Sequence, residues 1–347
     1  MTAEAMVSEV SIARLRTFGE RVYQHAALSP QDAATVVAVQ LDADLRGVDT
    51  HGFQRLPWYV ERLLKGENNP RPELRVLQES PASLVVDADN GLGQLVCVRV
   101  MEMTIAKARE TGLAVAAIKN SNDWGCGAYY PMLAAAEGFV CFATTTSVPT
   151  LAPFGGRGRV LGNNPMTFAV PRRDAPPLVL DMALTPVALG KVLRARAEGE
   201  QIPASWGFLD RDGRPTTDPT AALRGVIPAI GGYKGTGLSI MMNVLAGVLP
   251  GGYHTGAVDV GKRGQFFLLL SPSLFGDAES FLDEIESMVG QIRASELLPG
   301  VEQLYLPGEP EYRQQQQRVE RGAIPYPRSV IDALTALAET TGIEFAP

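Results

Sequence analysis

His51 is the side chain in this sequence best suited to moving a proton. It is one of three histidines, with His25 and His254, and lies in the short polar loop Val48-Asp49-Thr50-His51-Gly52. Arg46 and Arg55 flank that loop. Imidazole changes charge near neutral pH, so it can supply the proton that a carbonyl oxygen takes up on reduction. An arginine fork close by suits a substrate carboxylate. A surface loop histidine without chemical duty is the plainer reading, and spacing alone does not remove it. His25 and His254 have no comparable neighbours and read as structural.

Other stretches have the composition of a ligand site. Gly231-Gly232-Tyr233-Lys234-Gly235-Thr236-Gly237 precedes a helical pattern whose apolar face is Leu238, Met241, Met242, Leu245 and Leu249. Glycines at a helix start let backbone N–H groups approach a ligand, and a lysine beside them suits a phosphate or carboxylate. A tight turn with an exposed lysine is the alternative. Asn120-Ser121-Asn122-Asp123-Trp124-Gly125 follows an apolar strand at the end where α/β proteins usually carry their sites. These residues are also ordinary turn formers. The same ambiguity holds for Gly162-Asn163-Asn164-Pro165 and for Asp181, which closes Leu178-Val179-Leu180. Gly91-Leu92-Gly93 lacks the third glycine of a dinucleotide loop, and Gly232 to Gly235 has no P-loop spacing, so any nucleotide must bind in another way.

The elements that position these residues follow from periodicity. Ile12, Leu15, Phe18, Gly19 and Val22 recur at helical spacing. A second helix has Ser29 as cap, Pro30 in the first position, Asp32 in the first turn and Gly47 as its stop. A third runs from about Phe53 to Lys65 and ends at Gly66. From about residue 76, short apolar strands alternate with helices. Strands are expected at Leu84 to Val86, Leu113 to Ile118, Phe139 to Ala143, Met166 to Val170, Leu178 to Leu180 and Phe266 to Leu270, with helices ending near Gly112 and Gly138. The alternation argues an α/β fold with a mixed sheet. The last fifty residues return to helix and loop.

Composition narrows the function classes. The chain has 347 residues, 46% of them hydrophobic, which fits a folded protein of more than one lobe. A net charge of -7, with no basic block, excludes a general attraction to nucleic acid. Cys97, Cys126 and Cys141 form no paired motif and no metal-ligand spacing with histidine, so no metal site is expected. Glu4, Glu9 and Arg14 stand where an apolar leader would lie, and no apolar run reaches membrane length. A soluble cytoplasmic protein is expected.

Taken in order, the motifs resemble the type-2 malate/L-lactate dehydrogenase family, which includes sulfolactate and ureidoglycolate dehydrogenases, diketogulonate reductase and cyclic-imino-acid reductases. The matching stretches are Ala43 to Gly47 with Thr50-His51-Gly52 and Tyr59; Asn120 to Gly125; Pro153 to Gly156 with Leu161 to Pro165; Leu180 to Ala183; Asp210 to Pro219; and Tyr233 to Leu238. The likeness spans about residues 10 to 310.

That resemblance implies a three-layer α/β/α fold with a mixed sheet that binds NAD or NADP outside the Rossmann pattern, beside a small N-terminal helical domain. The implied division is a helical domain over 1–75, the nucleotide-binding domain over 76–295, and a C-terminal helical and loop segment, 296–347, packing back on the first. It implies a homodimer with the site near the subunit boundary. The resemblance makes His51, with Thr50, the proton donor and places Arg46 and Arg55 near the substrate carboxylate. It assigns Ser147, Asn164, Asp181, Met182, Ala183, Lys234 and Gly235 to the cofactor. The reaction expected is hydride transfer between nicotinamide and C2 of a small 2-oxo, 2-hydroxy, 2-imino or 2-amino acid. The rival is a catalytically silent relative that binds a nucleotide for regulation or partner binding.

There are two departures from the family. Many members carry a histidine where this chain has Asp123, in some cases the catalytic base. An ionised Asp123 would favour a protonated imine over a neutral 2-oxo acid. Alternatively, burial raises its pKa until it acts as an acid, or it only caps the following helix. The stretch Gly251 to Gly264 also looks shortened, which bears on the adenine side of the cofactor.

Overall fold

Helical spacing of apolar side chains gives the first sixty residues three helices. The computed structural model describes residues 7–252 and 262–345. A short strand, β1 (Val7–Ser11), leads into α1 (Ile12–His25), whose buried face includes Leu15, Phe18, Gly19 and Val22. α2 (Pro30–Leu45) starts where the Ser29 hydroxyl accepts from the Asp32 N–H at 3.1 Å. Its chain turns away at Gly47, in the left-handed region at φ 78°. Two 3₁₀ turns follow, Asp49–His51 and Phe53–Arg55, then α3 (Leu56–Leu64).

The central layer is built next: β2 (Arg75–Ser80), β3 (Ser83–Asp87), α4 (Gly93–Thr111), β4 (Leu113–Ser121), α5 (Tyr129–Ala136) and β5 (Val140–Thr145). After a small antiparallel pair, β6 (Pro149–Leu151) and β7 (Leu161–Gly162), the chain adds β8 (Met166–Val170) and β9 (Leu178–Met182). Then come α6 (Leu189–Glu198), α7 (Pro219–Arg224), α8 (Tyr233–Asn243) and β10 (Arg263–Leu270). The chain closes with α9 (Ala278–Arg293), α10 (Glu309–Arg321), β11 (Ala323–Pro327) and α11 (Arg328–Thr341).

Seven strands form one sheet in the order β2-β3-β4-β10-β5-β8-β9. β3 and β4 are parallel and the other described neighbours antiparallel, so the sheet is mixed and unlike the parallel Rossmann sheet. The period of two is visible in β10. Phe267 and Leu269 pack with Val96, Val100 and Met101 of α4, while Phe266 faces Ala246 on the other side. Helical structure on both faces of the sheet gives three layers.

A separate cluster joins the two ends of the chain. Leu15, Phe18, Leu56 and Tyr59 pack with Ile324, Tyr326, Ile331 and Leu334. Two expectations are corrected here. The N-terminal segment is not all helix, because β1 pairs antiparallel with β11. Pro325 and Pro327 cannot donate to a ladder, which argues against a strand from sequence, but a two-stranded ribbon has room for them. The apolar face after Gly237 is also not one continuous helix. α8 ends at Asn243, a π-helical turn (Val244–Val248) follows, and Met241 and Leu249 are 54% and 60% exposed. The shortened stretch 251–264 falls largely on 253–261, outside the described residues, as does His254.

Candidate active site

The two 3₁₀ turns present a connected set of side chains. Thr50 Oγ1 lies 3.0 Å from His51 Nδ1, and Arg55 Nε donates to the Thr50 carbonyl at 2.9 Å. The Thr50 contact leaves Nε2 as the nitrogen available to a substrate. Burial lowers the His51 pKa and the Arg55 charge lowers it further, while Asp123 pulls the other way. The imidazole is therefore neutral near pH 7.

Asp123 reaches this set from the end of β4. Its Oδ1 accepts from the Tyr59 hydroxyl at 2.5 Å and from the Gly125 N–H at 3.1 Å, and its Oδ2 is 3.9 Å from Arg55 Nη1. Burial pushes its pKa up. Arg55, His51, the Tyr59 bond and Arg263 together outweigh that, so the carboxyl is held below its ordinary range. This corrects the expectation that burial makes Asp123 an acid. Nor does it cap α5, since its backbone partner Gly125 belongs to the turn before that helix.

The loop is placed by close backbone approach. A Cβ on Gly93 would stand 2.4 Å from the carbonyl oxygens of Asn122 and Asp123, so only glycine lets the first turn of α4 pack there. Asn122 Nδ2 donates to the Asn90 and Gly91 carbonyls at 3.1 and 3.0 Å, and Gln265 Nε2 to the Asn122 carbonyl at 3.0 Å.

Arg46 has different charged neighbours from Arg55. It is buried at the C-terminus of α2, and the charges it acts on are Asp42 and Asp181. Burial pushes Asp42 up to about 6, against the pull of Arg46. The Arg46 Nε has no hydrogen-bond partner.

The residues assigned to the cofactor gather beside this set. Asp181 Oδ2 accepts from the Ala128 N–H at 2.9 Å, which ties the end of β9 to the turn that follows Asp123. Leu184, just beyond Met182 and Ala183, donates to the Asn163 carbonyl at 3.3 Å and accepts from Ile230 N–H at 2.9 Å. That backbone link brings Asp181 to Ala183, Asn164 and the Gly231–Gly235 stretch together. Asn164 is fully buried and acts as a clamp: its Oδ1 accepts from Ser147 N–H at 2.9 Å and its Nδ2 donates to the Ser239 carbonyl at 3.0 Å.

Lys234 and Gly235 lie in the first turn of α8, after Gly231 and Gly232 at φ 59° and 63°. No side chain caps that helix, and Lys234 is exposed. Asn163 Oδ1 and Thr185 Oγ1, on the linked segments, are buried without a partner. An uncapped helix start, a cation and unmatched polar atoms fit a phosphate-bearing cofactor. No group of three or more metal-binding side chains occurs among the described residues.

Two residues of this set have no assigned role in the sequence reading. Tyr59 falls on the buried face of α3 and reads as core there. Its hydroxyl partner is 64 positions away, which only the resemblance could suggest. Arg263 arrives on β10, where its charge acts on Asp123; nothing in its neighbours marks it.

Comparison with known proteins identifies the family. The family model described as malate/L-lactate dehydrogenase matches residues 10–335. The chain is 36% identical to the malate dehydrogenase of Pyrococcus horikoshii, over 95% of each chain. It superposes on that organism's malate dehydrogenase structure with TM-score 0.90, covering 98% of this chain and 97% of the other. It is 36% identical to the Escherichia coli ureidoglycolate dehydrogenase (NAD(+)), over 86% of each. The structure of Δ1-piperideine-2-carboxylate reductase from Pseudomonas syringae matches with TM-score 0.85 at 30% identity, over 95% of this chain and all of the other.

Proposed function

The chain belongs to the malate/L-lactate dehydrogenase family and is an NAD(P)-dependent oxidoreductase, and from that premise we propose that it interconverts a small 2-hydroxy acid and its 2-oxo acid. The observation that carries this is the charge state around His51. Asp123 is ionised but already bonded to Tyr59, and it faces both Arg55 and Arg263. Arg62, the third guanidinium nearby, is paired with Glu67 at 2.9 Å. One positive charge is left over, which suits one substrate carboxylate. A protonated imine would bring a second positive charge, as would the imidazolium that reduction of a 2-oxo acid needs, so Asp123, already facing Arg55 and Arg263, does not by itself select imines.

When bound, a nicotinamide cofactor would supply or take the hydride. In the oxidative direction, neutral His51 accepts the hydroxyl proton at Nε2, with Nδ1 held by Thr50. Asp123, whose charge favours protonated His51, stabilises the imidazolium that forms. In the reductive direction the imidazolium returns that proton. Arg55 is half-exposed, and with its Nε held by the Thr50 carbonyl it can offer its outer N–H groups to the substrate carboxylate, holding C2 for attack. Lys234 and the start of α8 would hold the cofactor phosphates, and Asp181 to Ala183 would line the same cofactor site.

We also infer that the protein is a cytoplasmic homodimer. Ile240, Met241, Val244, Val248 and Leu249 form an exposed apolar stripe next to the cofactor segment, between 40% and 60% exposed, and a second copy is its natural cover. The test of the function is a screen of NADH and NADPH oxidation against 2-oxo acids and cyclic 2-imino acids. Faster turnover of the 2-oxo acids is expected. Faster imine reduction would overturn the charge argument, and no turnover with either class would favour a silent nucleotide-binding relative.

A further inference from the structure

One buried carboxylate outside the reaction just described touches the loop that carries it. Asp44, at the end of α2, is fully buried, and its Oδ2 accepts from the Phe53 N–H at 2.8 Å and from the Tyr326 hydroxyl at 2.5 Å. The same Gly52–Phe53 peptide is gripped from its other side, where the Gly52 carbonyl accepts from Gln40 Nε2 at 3.2 Å. Gln40 is held in turn by the Tyr23 hydroxyl at 2.8 Å. A Cβ on Gly52 would stand 2.0 Å from Asp44 Oδ1, so the glycine after His51 is there to admit this carboxylate.

The front of the loop is pinned from the C-terminal segment. Arg318 Nη1 donates to the Asp44 carbonyl and lies 2.7 Å from Asp49 Oδ1. His51 thus sits between two anchors, Asp49 and Phe53. We propose that Asp44 is a positioning residue for His51, fixing the Gly52–Phe53 peptide from within, and that Tyr326 of β11 completes the anchor.

The carboxylate is an expensive way to fill this space. Among the described residues its charged neighbours are Arg318 from α10 and Asp49 from the first 3₁₀ turn, with the Tyr326 phenol from β11, and none of the described cations bonds its carboxylate oxygens. Oδ1 has no hydrogen-bond partner among the described residues. Burying a carboxylate with one oxygen unmatched costs stability. What only an acceptor at this position does is hold the Phe53 N–H, and with it the direction in which His51 leaves the loop. This rests on His51 being the proton-transfer group.

The test uses the full chain with Asp44→Ala, Asp44→Asn and Tyr326→Phe. Two readouts are followed: turnover of whichever of oxaloacetate or pyruvate it reduces faster, and the imidazole NMR titration, tractable with three histidines. Asp44→Ala is expected to lower kcat by about 10- to 100-fold, the scale of a misplaced catalytic group. NADH affinity should change less than about twofold, and the His51 titration should move up as its burial, and with it the Arg55 and Asp123 geometry, relaxes. Asp44→Asn, which keeps an acceptor for Phe53, should retain most of the turnover, and Tyr326→Phe should lose a few-fold. A folded Asp44→Ala protein with unchanged kcat and unchanged His51 titration overturns the proposal. If that variant does not fold, the same null result in Tyr326→Phe overturns it. Loss of turnover in His51→Asn without loss in Asp44→Ala sinks this inference alone, whereas full turnover in His51→Asn sinks the functional reading beneath it.

Discussion

His51 and Asp123 divide the proton chemistry by the charge each keeps. His51→Asn is expected to lower kcat by about 10²-fold or more with cofactor affinity nearly unchanged, the usual scale for general acid–base catalysis. Steady-state kinetics with a separate NADH titration checks it. The direction of the His51 shift fixes the pH dependence. Its folded pKa lies below the ordinary 6.5, so reductive kcat, which needs the imidazolium, falls as pH rises through that lowered value, and oxidative kcat rises over the same limb. Because Asp123 supports the imidazolium, Asp123→Asn should move the limb to still lower pH. A superimposable pH–rate profile would remove Asp123 from the proton relay. His51, Arg55 and Asp123 were legible because their types are rare or suggestive in polar loops. Tyr59 and Arg263 were not, since a tyrosine on an apolar helix face and an arginine entering a strand look ordinary until the fold brings them to Asp123. Arg46, close to His51 in sequence, lies buried at the end of α2, where the charges it acts on include Asp42 and Asp181.

At the scale of elements, short irregular pieces carry the site and long regular ones hold them. The strand that starts at Leu113 could be read from an uninterrupted apolar run and Met166–Val170 from a mostly apolar one, and the stops at Gly47 and Gly112 from the glycines themselves. The β1–β11 ribbon could not, because its prolines contradict strand chemistry and its partner lies at the far end of the chain. At the start of α8, Lys234→Ala is expected to weaken NADH or NADPH by about 1–3 kcal/mol, the scale of a lost charge-assisted hydrogen bond. Unaltered affinity in a fluorescence titration would remove Lys234 from the cofactor site. The anchor at the end of α2 leaves a mark on stability. Burial raises Asp44 from 3.8 to about 7, against the Tyr326 and Phe53 bonds. A group raised on folding contributes stability present below its unfolded value and lost as pH rises through the folded one. Melting temperatures of Asp44→Asn should therefore improve relative to wild type between pH 4 and pH 8, and a constant difference would show that Asp44 does not titrate in that window.

For the molecule as a whole, the exposed stripe on α8 and the turn after it predicts assembly. Met241→Asp or Leu249→Asp should produce a monomer in sedimentation, with activity reduced because the stripe adjoins the cofactor segment. A fully active monomer would show that the stripe serves something else. The strand order has a further consequence, in time. β10 lies between β4 and β5, pairing Phe267 with Ala116 and Ala143. A chain leaving the ribosome therefore carries β3, β4 and β5, which end at residue 145 or earlier, and β8 and β9, which end by residue 182, before the strand that joins them begins at residue 263. Until then two half-sheets expose the edges that β10 will occupy, and long-range pairing of this kind is slow and open to mispairing. Synthesis of this protein thus contains a built-in waiting period, with unpaired edges available to chaperones or to other nascent chains until residue 270 is made.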